Sequence, residues 1–317
     1  MIAFFAKIFG FILNFIYEIV NNYGIAIILF SILVKLLMLP ISIKQQKTMK
    51  KSVKVQSKMK EIQLKYKNNP EKLNEATLEL YRTENMSPFS GCLSAIVQII
   101  LLFAVFYLVR SPLTYMKKVD ATVIDKYSNI MKQNEMFSDS AYPEIEIIRE
   151  IENIRKLKIN ENEKNAENKD TENDVQAGEN KNSQINDEEL DSMQINMEFF
   201  GLNLAQVPTK SSDWKAYIIP VLYVAISIIS MKITNPTSSN AKPQPVENKE
   251  EKALLKPEEE FDPMAQMNKN MNLLFPIMYI SIALIAPLGL ALYWLMNSLL
   301  MIVEKKLLNK LIKEEEE

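Results

Sequence analysis

The chain has 317 residues, a formal net charge of -2, no histidine and a single cysteine, Cys92. This composition excludes histidine-based triads, histidine metal sites and an internal disulfide. The six glycines form neither a Walker loop nor a dinucleotide-binding pattern, so we expect no cofactor and no metal. Several nearly uncharged segments have the length, about 20 residues, that a helix needs to cross a bilayer. We therefore predict an all-α polytopic membrane protein that is not an enzyme.

Residues 1–22 are predicted to form an amphipathic helix that lies in the membrane interface. Phenylalanine and isoleucine side chains occupy one face of this helix. A cleaved signal peptide is the alternative, but it would show an uninterrupted apolar block and a small-residue cleavage site. The polar and small residues recur at spacings of three and four on the other face: Ala3, Lys7, Gly10, Asn14, Glu18 and Asn21.

The first span is predicted over 23–43 and a cytoplasmic helical hairpin over 44–88. Eleven lysines or arginines lie between Lys44 and Arg82, and positive charge beside a span marks the cytoplasmic side. The N-terminus is therefore predicted outside. Pro70 suits the start of the second hairpin helix. The hairpin is either a solvated surface near anionic lipid or a docking element, with candidate docking residues Lys47, Lys50, Lys51, Lys54 and Lys58.

The rest of the chain is predicted to add four spans, with the C-terminus inside. The uncharged run from Met271 to Val303 is too long for one span and is divided at Pro287. Residues 160–191 are rich in Glu, Asn, Lys and Asp, a composition that predicts disorder. The predicted segments are a second span (89–110), an extracytoplasmic segment (111–213), a third span (214–232), a Pro-rich cytoplasmic loop (233–268), a fourth span (269–286), a fifth span (288–304) and a cytoplasmic tail (305–317).

Lys35 lies inside the apolar run of the first span. A cation in a membrane helix costs about 2.5 to 3.5 kcal/mol on insertion scales, so it indicates a function. If the polar stripes of the spans converge, they line a wet groove whose only charge is cationic. Two plainer interpretations stay open: polar residues that only join helices, and a Lys35 that extends toward the inner headgroups. The candidate groove residues are Lys35, Ser31, Ser94, Gln98, Ser227, Ser230, Trp294 and Asn297.

The chain resembles the YidC family of membrane protein insertases everywhere except about 118–195. That resemblance implies five helices around a hydrophilic groove, open to the cytoplasm and to lipid, in which a cation attracts the acidic or polar tail of an incoming protein. Lys35 stands at the position of that cation, and Trp294 at that of a groove aromatic residue. The matching motifs are Tyr23-Gly-Ile-Ala-Ile-Ile with Lys35 and Pro40, the stretch Ile43 to Lys51, Gly91-Cys-Leu with Gln98, Phe200-Gly-Leu-Asn-Leu204, Pro220, and Pro287-Leu-Gly-Leu-Ala-Leu-Tyr-Trp294.

The resemblance also implies clients, partners and a location. Nascent membrane proteins are the implied clients, and the ribosome or signal recognition machinery, the Sec translocon and the lipid bilayer are the implied partners in the cell membrane. No nucleic-acid sequence is expected to be recognised. The chain departs from the family at Lys35, usually arginine, because lysine lacks the bidentate fork. Ser230 stands where many relatives have glutamine, and the tail lacks the long basic extension of some members, so ribosome contact falls to 44–84.

Two other classes of function stay open. A carrier or channel for anions would use Lys35 as its binding charge, but it would need inverted repeats or broken helices, and the sequence contains no internal repeat. A scaffold would recruit soluble partners through the hairpin. Replacing Lys35 with leucine separates the three classes, because insertion falls for an insertase, ion flux falls for a carrier, and little changes for a scaffold.

Overall fold

The computed structural model describes residues 2–66, 69–84, 90–136, 141–167, 185–234 and 280–316. Its regular structure is almost entirely helical, which confirms the predicted all-α class. The elements are α1 (Ile2–Val20), α2 (Tyr23–Lys65), α3 (Pro70–Thr83), α4 (Ser90–Arg110), a π-helical turn (Leu113–Lys117), α5 (Ala121–Gln133), α6 (Pro143–Glu167), α7 (Asp187–Met193), β1 (Glu198–Phe199), β2 (Leu202–Asn203), 3-10 turns at Pro208–Lys210 and Trp214–Tyr217, α8 (Ile218–Thr234) and α9 (Leu288–Glu316).

Three of the described helical stretches are long and apolar enough to cross a membrane: Ile2–Val20, Tyr23–Thr48 and Leu288–Leu311. Two shorter apolar stretches, Ile99–Arg110 and Trp214–Ser230, fall within the predicted second and third spans. Together they confirm a polytopic membrane protein. The Pro-rich loop and most of the predicted fourth span fall in 235–279, outside the described residues.

Helix α2 is a single helix of 43 residues that continues from the apolar first span into the basic hairpin. The prediction divided it after Ile43, but nothing in the sequence there stops a helix. Its start is capped by Asn22, whose side-chain oxygen accepts a hydrogen bond from Ile25 N at 3.0 Å. Pro40 lies inside the helix, where its ring removes the N–H that would otherwise bond the carbonyl of Leu36.

Helix α3 begins at Pro70, as the sequence predicts. Asn69 caps it, and the side-chain oxygen of this residue accepts a hydrogen bond from Lys72 N at 3.1 Å. The ammonium of Lys58 in α2 lies 2.5 Å from the carboxylate of Glu84, the C-cap residue of α3. The two helices therefore form a hairpin that is closed by an ion pair.

The starts of α2 and α9 and the end of α1 meet the segment that precedes α8. Tyr23 N donates to Asn196 O at 3.0 Å, and Gly289 N donates to Leu204 O at 2.9 Å. The hydroxyl of Tyr17 accepts a hydrogen bond from Asn196 N at 2.8 Å. Because this segment leads through two 3-10 turns into α8, the helices α2, α8 and α9 all run away from the same end of the molecule. Helix α9 packs along both α2 and α8.

Helix α1 packs against α4 and the π-helical turn. Gly10 lies at the closest point, because a Cβ atom there would come within 2.0 Å of the carbonyl oxygen of Tyr115. The sequence placed Gly10 on a polar face, whereas the structure places it on the packed face. The buried residues of α1 are Ala6, Phe9, Gly10, Leu13 and Tyr17, and its exposed large apolar residues are Phe4, Ile8, Phe11, Phe15 and Ile19.

The prediction of disorder over 160–191 is wrong at both ends of that range. Helix α6 extends to Glu167, and α7 covers Asp187–Met193. Ile185, Leu190 and Met193 are buried, and the hydroxyl of Tyr127 in α5 donates to Asn186 O at 3.0 Å. The average composition concealed these few apolar residues, whose partners lie far away in the sequence. Residues 168–184 are outside the described residues.

Candidate functional site

Lys35 is placed deep in the apolar half of α2. It follows Tyr23 by twelve residues, which is about 18 Å along a helix that rises 1.5 Å per residue. Its neighbours Leu36 and Leu37 are exposed, whereas the Lys35 side chain is only 20% exposed. A cation at that depth requires a partner within the protein or access to water.

The partner of Lys35 is Glu304 in α9. The ammonium nitrogen lies 2.8 Å from Glu304 Oε2, and the glutamate side chain is 11% exposed. The other carboxylate oxygen, Oε1, is buried, and no described residue hydrogen-bonds to it. Among the described residues, this pair places one positive and one negative charge at the site. This corrects the prediction of polar stripes whose only charge is cationic.

Ser31 lies one helical turn before Lys35 and is buried. Its hydroxyl donates to the carbonyl of Ile27 in the same helix at 2.7 Å. Because this bond occupies the hydroxyl proton within α2, it agrees with the plainer interpretation of a serine that satisfies its own helix.

A buried polar stripe runs along α8 toward α9. Tyr223, Ser227 and Ser230 are buried, while their neighbours Ile228 and Ile229 are exposed. The hydroxyls of Ser227 and Ser230 have no hydrogen-bond partner among the described residues. A hydroxyl that is buried without a partner is costly, so these two serines are polar groups that the described part of the structure leaves unsatisfied.

Aromatic packing fixes the level at which α8 meets α9. The rings of Tyr223 and Trp294 are 5.8 Å apart. Asn297 is half-buried and Ser298 is buried in the next turn of α9. The structure thus packs Trp294 against Tyr223, which lies one helical turn before Ser227 on α8.

Helices α2 and α9 are also tied on the hairpin side of the ion pair. Gln46 Nε2 donates to Asn309 Oδ1 at 2.9 Å. At the opposite end, a Cβ atom on Gly289 would lie 3.3 Å from the Tyr23 ring. The Lys35–Glu304 pair is therefore the middle of three contacts along one helix–helix interface.

Exposed apolar side chains occur on both α8 and α9. Val303 precedes Glu304 and is 62% exposed, and near the start of α8 Val221 and Leu222 are 64% and 49% exposed. Apolar side chains at this exposure in a membrane protein face lipid. On α9, an exposed apolar side chain thus directly precedes the glutamate of the ion pair.

Several predicted residues are not tested by this geometry. The side chains of Ser94 and Gln98 in α4, and those of Lys50 and Lys54 in α2, lie outside the described part of the structure. Lys47 and Lys51 are exposed, and Lys58 forms the ion pair with Glu84. Within the described ranges, no group of three or more Cys, Asp or Glu residues is arranged to hold a metal.

Glu304 is the site residue that the sequence interpretation missed. It directly follows the uncharged run that ends at Val303, and it was included as the last residue of the predicted fifth span (288–304) without being given a role. The rule that intramembrane charges pair with one another was a usable signal, since Glu304 is the acidic residue within that predicted span.

Comparison with known proteins gives a consistent picture. A family model described as "60Kd inner membrane protein" matches residues 15–316. A protein of Fusobacterium nucleatum named "Membrane protein insertase YidC" is 43% identical over 102 residues, which are 32% of this chain and 50% of that protein. Proteins of the same name are 39% identical over 106 residues in Caldanaerobacter subterraneus (33% of this chain, 52% of that protein) and 44% identical over 100 residues in Chlorobaculum tepidum (32% and 17%). The matches thus span about half or less of these relatives.

Proposed function

Because the chain belongs to the 60Kd inner membrane protein family, we propose that it is an insertase, which transfers newly made membrane proteins, its clients, from the cytoplasm into the bilayer. The relatives named above are insertases by name. The observation that carries the proposal is Lys35, a cation about 18 Å along an apolar helix, one fifth exposed and held by a single carboxylate.

Electrostatic attraction supplies the first step of the proposed mechanism. Two unit charges at 4 Å attract each other by about 1 kcal/mol in water and by several times more at intermediate dielectric. Lys35 therefore gives an acidic client tail a short-lived hold within the membrane. This step needs no covalent chemistry and no nucleotide.

Burial of the client in lipid supplies the second step. A client helix of about 20 apolar residues gains more free energy in lipid than one ion pair provides, so it leaves the site spontaneously. The exposed apolar side chains Val221 and Leu222 on α8 and Val303 on α9 support this route. We propose that Trp294, Asn297, Ser227, Ser230, Ser31, Ser94 and Gln98 line the groove.

The proposed topology has five spans, the N-terminus outside and the C-terminus inside. It is supported by the shared direction of α2, α8 and α9 away from α5–α7 and by the basic hairpin at the opposite end. The proposed interfacial position of α1 is supported by Lys117 over the Tyr17 ring and Lys118 over the Phe11 ring. These contacts hold the second half of α1 at the outer end of α4.

We also propose that the α2–α3 hairpin is the contact for the ribosome, the signal recognition machinery or the Sec translocon. Its exposed lysines Lys47 and Lys51 support a polyanionic partner, including the inner lipid headgroups. The ion pair between Lys58 and Glu84 keeps the two helices together, so the basic surface is presented on a fixed frame.

The test is insertion of a single-span client with an acidic N-terminal tail into proteoliposomes that contain only this protein. We expect insertion with Lys35, retained insertion with Lys35→Arg, and a loss of about tenfold with Lys35→Ala, which corresponds to about 1.4 kcal/mol. Protease protection of the tail measures insertion. Lys310→Ala, at an exposed position on α9, is the matched control and should leave insertion unchanged.

Each outcome separates the elements of the proposal. Absence of insertion by the unaltered protein contradicts autonomous insertase activity. Insertion that Lys35→Ala leaves unchanged keeps the activity and contradicts the role of the charge. A parallel measurement of anion flux distinguishes a carrier, whose flux would fall with Lys35→Ala.

A further inference from the structure

We propose that Glu304 determines which clients the site accepts, because its carboxylate occupies the Lys35 ammonium until a client carboxylate displaces it. This inference rests on the proposed insertase function and adds a specificity-determining residue to it. Glu304 is the internal competitor of the client's acidic tail. Clients that lack an acidic group cannot replace it at Lys35.

The contact between Glu304 and Lys35 is the first observation that supports competition. Glu304 Oε2 holds Lys35 Nζ at 2.8 Å, the distance of a charge-assisted hydrogen bond. The two side chains are 20% and 11% exposed. Lys35 is therefore not fully enclosed by the described helices, and its exposed fraction is the part that a second carboxylate would contact.

The attachment of Glu304 is weak enough to exchange. Only one of its oxygens contacts Lys35, and the other has no hydrogen-bond partner among the described residues. Lysine presents three rotatable donors on a flexible stem, so it can change partner without the fixed geometry that an arginine fork demands. Lys35 is thus suited to pass from an internal carboxylate to an external one.

The exchange conserves charge in the membrane. When a client carboxylate binds Lys35, one ion pair replaces another, and Glu304 is released beside Lys305 and Lys306 at the end of the apolar run. Its release near the inner headgroups lowers the cost of leaving it unpaired. A client with a neutral tail would leave both Glu304 and Lys35 in their original pair and gain nothing.

Competition of this kind lowers the apparent affinity for acidic tails by the fraction of time that Lys35 is free. Glu304→Gln removes the competitor and retains a side chain of nearly the same shape. We expect this variant to bind a client with an acidic tail about fivefold more tightly, and a client with the matching amide tail unchanged, since typical coupling factors are about 5 to 150.

The test uses the full chain in proteoliposomes and two clients that differ only in two aspartates or two asparagines in the N-terminal tail. Photocrosslinking of each client gives its apparent affinity, and protease protection gives its insertion. The result expected is a rise of about fivefold in the acidic-to-amide affinity ratio with Glu304→Gln. Glu152→Gln, an exposed glutamate of α6, is the matched control for the charge change.

Glu304→Asp keeps the charge in the membrane and shortens the side chain, so it tests the proposal even if Glu304→Gln fails to fold. Its affinity ratio should lie between those of the unaltered protein and Glu304→Gln. An unchanged ratio in both variants, or an equal loss for both clients, would overturn the inference and leave Glu304 a structural residue. Failure of the unaltered protein to insert either client would instead count against the proposed function.

Discussion

Glu144 at the start of α6 is a buried carboxylate and Glu304 in α9 is 11% exposed, and the structure holds the two in different ways. Glu144 Oε2 accepts a hydrogen bond from Thr114 N at 3.0 Å, and its Oε1 accepts one from Thr114 Oγ1 at 2.7 Å. It also lies in the first turn of α6, where the helix dipole favours a negative charge. Glu304 has a single flexible cation at one oxygen.

The difference indicates what each carboxylate can do. The backbone N–H and the side-chain hydroxyl of Thr114 together satisfy both oxygens of Glu144, so it joins α6 to the π-helical turn through two hydrogen bonds. A lysine on a flexible stem contacts one oxygen of Glu304. The Glu144 contact is therefore suited to rigidity, and the Glu304 contact is suited to the proposed exchange of partners.

The largest expected effect is a loss of stability when Glu144 is replaced, compared with a smaller loss when Glu304 is replaced. Glu144→Ala removes two hydrogen bonds to a charged group, and we expect it to lower the free energy of local unfolding of α6 by about 3 kcal/mol. Glu304→Gln should cost only about 1 kcal/mol, because a partly exposed ion pair contributes little. Hydrogen exchange of the full chain in nanodiscs measures both. Equal losses of unfolding free energy at the two positions would contradict the view that Glu144 is held more firmly than Glu304.

The contact between Gly10 and the carbonyl of Tyr115 should produce the next effect. Tyr115 adjoins Thr114, so a methyl group at position 10 displaces the turn that holds Glu144. We expect Gly10→Ala to destabilise the protein by about 2 kcal/mol through overpacking, despite the better helix propensity of alanine. Thermal unfolding in nanodiscs is the measurement.

Ala3→Val supplies the control for Gly10→Ala, since it enlarges an exposed side chain of the same helix. It should change the stability by less than about 0.5 kcal/mol. A stable Gly10→Ala variant with unchanged hydrogen exchange in α6 would contradict the link from α1 to Glu144.

Local signals in the sequence were sufficient for some helices, such as α3, and insufficient for the contacts between helices. Asn69 and Pro70 are neighbours that together cap and begin α3, so the start of this helix could be predicted from local sequence. Glu304 and Lys35 are separated by most of the sequence, and only the packing of α9 on α2 brings them together. Helix α7 was missed for the same reason, because Leu190 is buried by residues distant in sequence.

The continuity of α2 shows a further limit of sequence patterns. The change from apolar to basic residues at Lys44 predicts a change of solvent, and the sequence analysis placed the boundary between the first span and the hairpin there. Backbone hydrogen bonds form equally well on both sides of such a boundary, so the helix continues to Lys65. Composition thus predicts where the membrane ends, and it leaves open where the helix ends.

The pH dependence of Glu144 should give a smaller effect. Burial raises the pKa of its carboxyl, and the hydrogen bonds from Thr114 offset part of this rise. A raised pKa in the folded state means that the contribution to stability is fully present below the unfolded pKa, about 4.3, and is lost as the pH rises through the folded pKa. The unaltered protein should therefore lose stability relative to Glu144→Gln over this interval.

The difference between the two proteins isolates Glu144, because other titrating groups act equally in both. Asp187 is one of them, since the hydrogen bond from Lys158 lowers the pKa of its carboxyl and makes its contribution disappear as the pH falls. Chemical unfolding from pH 4 to pH 7 measures the difference. A constant difference would show that Glu144 keeps the same protonation state when the protein unfolds.

The smallest expected effect is an increase in stability, whereas the effects above are losses. It concerns the turn between β1 and β2. Phe200 and Gly201 both have positive φ angles, of 50° and 76°. A two-residue hairpin turn of this kind favours Asn-Gly, and the left-handed region costs an L-residue about 1 to 2 kcal/mol. The Phe200 ring is 91% exposed, and its edge contact with Phe199 at 4.7 Å recovers part of that cost.

Two substitutions separate the backbone from the ring. Phe200→Asn relieves the strain and loses the ring contact, and we expect a net gain in stability of about 0.5 kcal/mol. Phe200→Ala keeps the strain and loses the same contact, so it should be destabilising by about 0.5 to 1 kcal/mol. Hydrogen exchange at Asn203, which pairs with Glu198, reports the hairpin directly. Equal effects of the two substitutions would mean that the ring alone sets the stability of this joint, because only asparagine relieves the backbone.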